Sequence, residues 1–298
     1  MKTSRYGQPG KKQTRLTVSE PQELMEFLLS KLPSQGRNNI KSLLTHRQVQ
    51  VDAEVITRYN HLLQVGQEVT INWAIIRDEG PTTGLKILYE DPEIIIIDKP
   101  AGLLSIASDQ EKLNTAYRQL RDYVSSTNPE DRIFIVHRLD RDTSGVMMFV
   151  KNETIKHELQ DSWKETVIDR AYIAVVEGKI PEPQGTIKSW LKETKTKLMY
   201  SSSREGDGLE AITHFKVLQT SSKYSLLEIR LETGRKNQIR VHLQDIGHSI
   251  IGDKKYGSTT NPIGRLGLHA HILAFQHPTS GQIMRFETEI PKKFTSLF

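Results

Sequence analysis

Apolar residues recur along this chain at two spacings, and the change from one to the other divides it. Over Glu23 to Leu32 the apolar positions Leu24, Phe27, Leu28 and Leu32 follow a helical stripe, and Ile40 to Leu44 predicts a second short helix after the break at Gly36-Arg37-Asn38-Asn39. Val49, Val51, Val55, Leu63 and Val69-Thr70-Ile71 then read as short strands joined by turns. Arg77 to Gly84 is polar, with Gly and Pro, and predicts a linker. Past it the runs become mostly strand-like. Ile87 to Glu90 and Ile94 to Asp98 flank Asp91-Pro92-Glu93 as a hairpin, and Val167 to Gly178, Ala211 to Val217, Tyr224 to Glu232, Leu268 to Phe275 and Ile283 to Thr288 predict further strands. Helical spacing returns over Thr115 to Val124, after the cap residue Asn152, and in a helix starting near Gly234 that Gly247 stops. The whole predicts a flexible leader over 1–15, a small α+β domain over 16–76, a linker over 77–85, and an α+β domain over 86–298 on a mixed, mainly antiparallel sheet.

One stretch breaks this pattern: His137-Arg138-Leu139-Asp140-Arg141-Asp142-Thr143-Ser144-Gly145, set between the apolar runs Ile133 to Val136 and Val146 to Val150. Unpaired charges are not tolerated inside a core, so these residues must occupy a loop at the edge of a sheet. Loops held by rigid strands are where chemistry is usually placed. Either Asp140 or Asp142 can serve as a general acid or base. Position favours Asp140, which follows the apolar Leu139, while Asp142-Thr143-Ser144-Gly145 suits a turn. A buried aspartate stays ionised only beside a cation, and Arg138, Arg235 and Arg240 are the candidates.

Composition narrows the chemistry. The 36% hydrophobic and 26% charged residues suit a globular protein, no long apolar run predicts a membrane span, and the absence of cysteine excludes disulfides and thiolate metal sites. The cytoplasm is the expected compartment. A net charge of +5 is mild, but Lys2, Arg5, Lys11, Lys12 and Arg15 precede the first acidic residue and suggest an arm for nucleic acid phosphates or a solvated tail. Glycine loops for nucleotides are missing, so no cofactor is expected. His269 and His271 share a strand face, yet no third ligand stands at a recognisable spacing, and no metal is predicted.

With strands on either side, His137 to Gly145 resembles the signature of the RluA-type RNA pseudouridine synthases. Agreement continues in order and spacing through Asp98 to Leu104, Tyr172 to Gly178, Thr233 to His242, Gly252-Asp253, Tyr256-Gly257, Leu268-His269-Ala270 and His277-Pro278, covering about residues 86 to 290. The N-terminal helices and hairpin resemble the alpha-L RNA-binding motif of the ribosomal-protein-S-four type, with Asp52-Ala53 where that family has Asn-Gly and with Arg37, Lys41, His46 and Arg47 near the helix ends. The resemblance implies a monomeric, cofactor-free isomerase acting on structured RNA, ribosomal before transfer RNA. It implies Asp140 as the catalytic aspartate, Arg240 as its partner and Tyr172 as the residue stacked on a flipped uracil. Arg138 is implied to evict the base, and Arg141, Arg235, Lys236, Arg37 and Lys41 to contact RNA. Arg170, Asn237 and Ile106-Ala107 depart from the family pattern at positions expected not to touch the chemistry. An RNA-binding or ribosome-assembly protein that kept the scaffold without its activity is the alternative.

Overall fold

The computed structural model describes residues 13–33, 35–45, 48–72, 85–108, 111–126 and 130–298. The chain divides into two compact units, Met1–Thr82 and Thr83–Phe298. In the first, strand β1 (Gln13–Thr17) precedes β2 (Gln22–Glu23), α1 (Leu24–Lys31), α2 (Arg37–Thr45), β3 (Val49–Val51), β4 (Glu54–Val55), β5 (Leu62–Leu63) and β6 (Glu68–Asn72). A sheet in the order β1-β6-β3-β4 shares a core with the helices, in which Leu24, Phe27, Leu28, Ile40, Leu44, Val49 and Ile71 are buried. β1 corrects the expected leader, because Gln13 to Arg15 pair with β6 rather than trail free. Its alternation was hidden because only Leu16 marks the strand as apolar. Lys2, Arg5, Lys11 and Lys12, His46 and Arg47, and the expected linker up to Gly84 lie outside the described residues. Leu85, assigned to that linker, is buried in the core of the second unit. The β3–β4 turn places Asp52 and Ala53 at φ 49° and 69°, the paired left-handed geometry of a tight hairpin.

The second unit runs β7 (Lys86–Glu90), β8 (Ile94–Lys99), α3 (Ala116–Ser125), β9 (Phe134–Ile135), β10 (Ser144–Val150), α4 (Glu153–Asp161), α5 (Trp163–Thr166), β11 (Val167–Glu177), β12 (Gln184–Glu193), β13 (Met199–Ser202), β14 (Leu209–Thr220), β15 (Tyr224–Leu231), α6 (Gln238–Asp245), β16 (Leu268–Gln276), β17 (Ile283–Glu287) and α7 (Lys292–Thr295). One sheet in the order β13-β12-β14-β15-β11-β16-β10-β8-β7 takes in these strands, with β17 on β16 and β9 on β10. This is the α+β, mainly antiparallel architecture that the apolar pattern predicts. Its strands pair antiparallel except β10 with β16, which are parallel through Ser144–His269 and Gly145–Ala270. At this joint Gly145 has φ 114°, and a Cβ there would lie 2.0 Å from the Ala270 carbonyl oxygen. Only glycine fits. Of the expected turn residues, Ser144 instead begins β10, while Asp142 lies in the turn and Thr143 closes it, donating its N–H to Asp140 O at 3.2 Å.

Candidate functional site

The charged loop enters the sheet at that parallel joint, and buried groups fix its shape. The Lys99 ammonium, fully buried at the end of β8, donates to the carbonyls of Pro100 (3.0 Å), Leu103 (2.7 Å) and Arg141 (3.0 Å). Burial pushes Lys99 down to about 8, so at neutral pH it is charged and its three protons match three acceptors. The Ser105 hydroxyl donates to Leu139 O at 2.7 Å and accepts from Leu139 N at 3.2 Å. His137 accepts from the Met148 N–H through Nε2 (3.0 Å) and packs on Trp163. Burial, aided by the nearby Arg170 charge, holds His137 near 3, so the ring is neutral and structural.

This frame presents Asp140. Its Oδ2 accepts from Arg240 Nη1 at 3.1 Å and from Asn237 Nδ2 at 2.6 Å. Arg240 turns its other edge to Asp253, with Nε to Oδ2 at 2.7 Å and Nη2 to Oδ1 at 2.8 Å, and lies over the Tyr256 ring. Asp253 is 1% exposed and Arg240 14%. Burial works to lower the Arg240 pKa, but the carboxylates of Asp253 and Asp140 raise it above its ordinary value, so the guanidinium stays charged. α6 is seated by Gln238 and His242, which one turn of helix places on the same face. Gln238 donates to Ile212 O and Thr213 Oγ1, and the His242 ring lies between Thr213 and Ser189. Ile239 and Leu243 enter the core, which leaves Arg240 to border it.

Tyr172 stands on β11 where a bulge shifts its register against β16, and it packs against two hydrophobic clusters. Burial raises its pKa, with Arg170 opposing and Asp140 reinforcing, so it is a neutral phenol at neutral pH. Asp140, Tyr172 and Arg240 line one cavity of about 740 Å³ together with Arg138, Arg141, Arg235 and Lys236. Arg138 is exposed. Arg141 pairs with Asp142 at 3.3 Å, Arg235 donates to Glu210 O at 3.0 Å, and Lys236 meets Glu193 at 2.5 Å. Of the three candidate partners for Asp140, only Arg240 reaches it among the described residues. Arg37 and Lys41 lie on the first unit, exposed and one turn apart on α2.

One expectation needs correction. Asn237 was placed away from the chemistry, yet it donates the shortest bond to Asp140. His269 is committed on both ring nitrogens, Nδ1 to Ser144 Oγ (2.8 Å) and Nε2 to Thr288 Oγ1 (2.9 Å), while His271 meets Glu287 through Nε2 and its buried Nδ1 has no hydrogen-bond partner among the described residues. Asp253, Tyr256, Lys99 and Gln238 fall within the segments that carry the resemblance, but the sequence assigns them no role. The signal for Asp253 is chemical, because a buried guanidinium has more donors than one carboxylate can satisfy.

The profile of a family described as RNA pseudouridylate synthase matches residues 93–245. The protein named uncharacterized RNA pseudouridine synthase YlyB, from Bacillus subtilis, is 33% identical over 96% of this chain and 97% of its own length. Ribosomal large subunit pseudouridine synthase D of Salmonella typhimurium is 32% identical, with 96% and 93% covered. Among solved structures, human RNA pseudouridylate synthase domain containing 1 aligns with a TM-score of 0.57 at 26% identity, over 72% of this chain and 86% of that one.

Proposed function

The chain belongs to the RluA-type RNA pseudouridine synthase family, and we propose on that premise that it isomerises specific uridines of ribosomal RNA through Asp140. The N1–C1′ bond of the nucleotide breaks, the uracil turns, C5 joins C1′, and the proton on C5 leaves while N1 gains one. No electrons are exchanged. The observation that carries this reading is an aspartate paired with a permanently charged arginine at the wall of a cation-ringed cavity, beside a neutral tyrosine.

A uridine inside folded RNA is out of reach of such a cavity, so the nucleotide flips out at a cost of a few kcal/mol, offset by phosphate contacts and stacking. Tyr172 stacks on the base, and Arg138, exposed at the cavity, fills the gap it leaves. The Asp140 carboxylate, held by Arg240, attacks or assists at the glycosidic bond. Arg141, Arg235 and Lys236 hold flanking phosphates. The unit within Met1–Thr82 adds RNA contacts from Arg37 and Lys41. The name of the Salmonella relative supports a large-subunit ribosomal RNA target.

Asp140→Asn preserves size and most hydrogen bonding but removes the charge. It is expected to abolish release of tritium from a C5-tritiated transcript of large-subunit ribosomal RNA while RNA binding stays within about threefold, since phosphate contacts carry most affinity. Tritium release at the native rate by this variant would overturn the assignment.

A further inference from the structure

The two oxygens of Asp140 are not equivalent. Oδ2 takes both donors, Arg240 Nη1 and Asn237 Nδ2, while Oδ1 accepts from no group among the described residues. Asn237 has no freedom to present its other end. The backbone N–H of Met199 donates to the Tyr256 hydroxyl at 3.3 Å, which leaves the single phenolic proton for Asn237 Oδ1 at 3.0 Å. With Oδ1 of the amide taken, its NH₂ must face Asp140. The Tyr256 side chain is itself fixed, 1% exposed beneath the Arg240 guanidinium. Asn237 sits at φ 54°, just before the first residue of α6, and this left-handed backbone carries its amide to the aspartate.

We propose that Asn237, oriented by Tyr256, is a positioning residue that holds Oδ2 of Asp140 and reserves Oδ1 as the reacting oxygen. This rests on the aspartate-dependent reading above. A neutral amide adds a second donor without adding a second cation, so the carboxylate is aimed without its charge being further neutralised. The other ionisable groups that act on Asp140 are Arg240, Lys99, Lys255, Tyr172 and Tyr256, with Asp253 behind Arg240, and all of them remain when Asn237 is changed.

The test is the single-turnover rate of tritium release from the C5-tritiated large-subunit ribosomal RNA transcript, measured against pH and beside RNA affinity. Asn237→Gly keeps the left-handed backbone and removes only the amide. Its rate is expected to fall about tenfold to a hundredfold, with RNA affinity unchanged, less than for loss of a preorganised donor that meets the reacting atoms directly. Tyr256→Phe lets the amide turn over and is expected to give a smaller loss. Asn237→Asp sets a second carboxylate against the first, which raises the apparent pKa of the pair. The rise of rate with pH should therefore move upward by about one unit or more. Thermal unfolding of each variant separates these effects from misfolding. A native rate in Asn237→Gly together with an unmoved profile in Asn237→Asp overturns the inference while leaving the Asp140 assignment standing if Asp140→Asn is inactive. Activity in Asp140→Asn overturns both.

Discussion

In the buried wall of the cavity the Arg240 guanidinium is gripped on both edges by carboxylates and covered by an aromatic ring. Around the mouth, Arg141 and Lys236 meet single acidic partners with side chains 41–63% exposed. The same ion pairs differ in what water does to them. Exposed pairs contribute about 0–1 kcal/mol and exchange readily for another anion, so the rim cations are available to phosphates. Breaking the buried pair strands a charge in a poorly solvated place. The inner wall is thus built for fixed geometry, and the rim for exchange.

The sharpest way to break this contrast is Asp253→Asn, which leaves Arg240 with Asp140 as its only anionic partner among the described residues. It is expected to cost about 3 kcal/mol or more of unfolding free energy, read from urea midpoints, and to reduce single-turnover rate far more than RNA affinity. Equal losses of rate and affinity would remove the distinction between wall and rim.

The scaffold behind the wall predicts a pH dependence. His242 is held down to about 4 by burial and His137 to about 3, so both stay neutral in the folded protein where an unfolded histidine takes a proton near 6.5. Below 6.5 the unfolded chain binds more protons than the folded one, and stability falls as pH falls, by about 1.4 kcal/mol per unit for each histidine. Stability measured from pH 6.5 to 4.5 should show this slope, and His242→Asn should reduce it by about one proton. A slope unaffected by that change would mean that His242 is not held neutral.

The smallest effects belong to the rim. Lys236→Ala and Arg141→Ala should each lower the slope of log affinity against log salt by about 0.7–0.9, the value for one phosphate contact, with the rate of bound RNA unchanged. Unchanged salt dependence in both variants would place the RNA path elsewhere.

Much of this division was legible in the sequence. The helical stripe of α6 and the apolar runs of β8, β10, β11 and β16 located the wall elements, because a core face leaves a period that single residues cannot disguise. Asp140 stood out as charge between apolar strands. β1, β12 and β13 were not recognised, because their described burial is mostly partial and their polar residues mask the alternation. Asn237 and Asp253 were missed for another reason: their importance lies in which atoms face which across 97 and 13 residues of chain, and no local pattern reports a hydrogen bond.

The parallel joint has a consequence for how the site comes into being. β16 lies between β10, which follows Asp140, and β11, which carries Tyr172. Without it the sheet order separates into one ribbon holding the aspartate and another holding the tyrosine. The pairing of Ser144 with His269 closes a loop of 125 residues, so it forms late in folding, after the local hairpins on either side. During synthesis the aspartate loop is therefore made long before the strand that brings it to the tyrosine, and a chain ending before Leu268 carries Asp140 and Tyr172 on unjoined halves. The cavity wall is thus complete only when the two ends of this long loop have met.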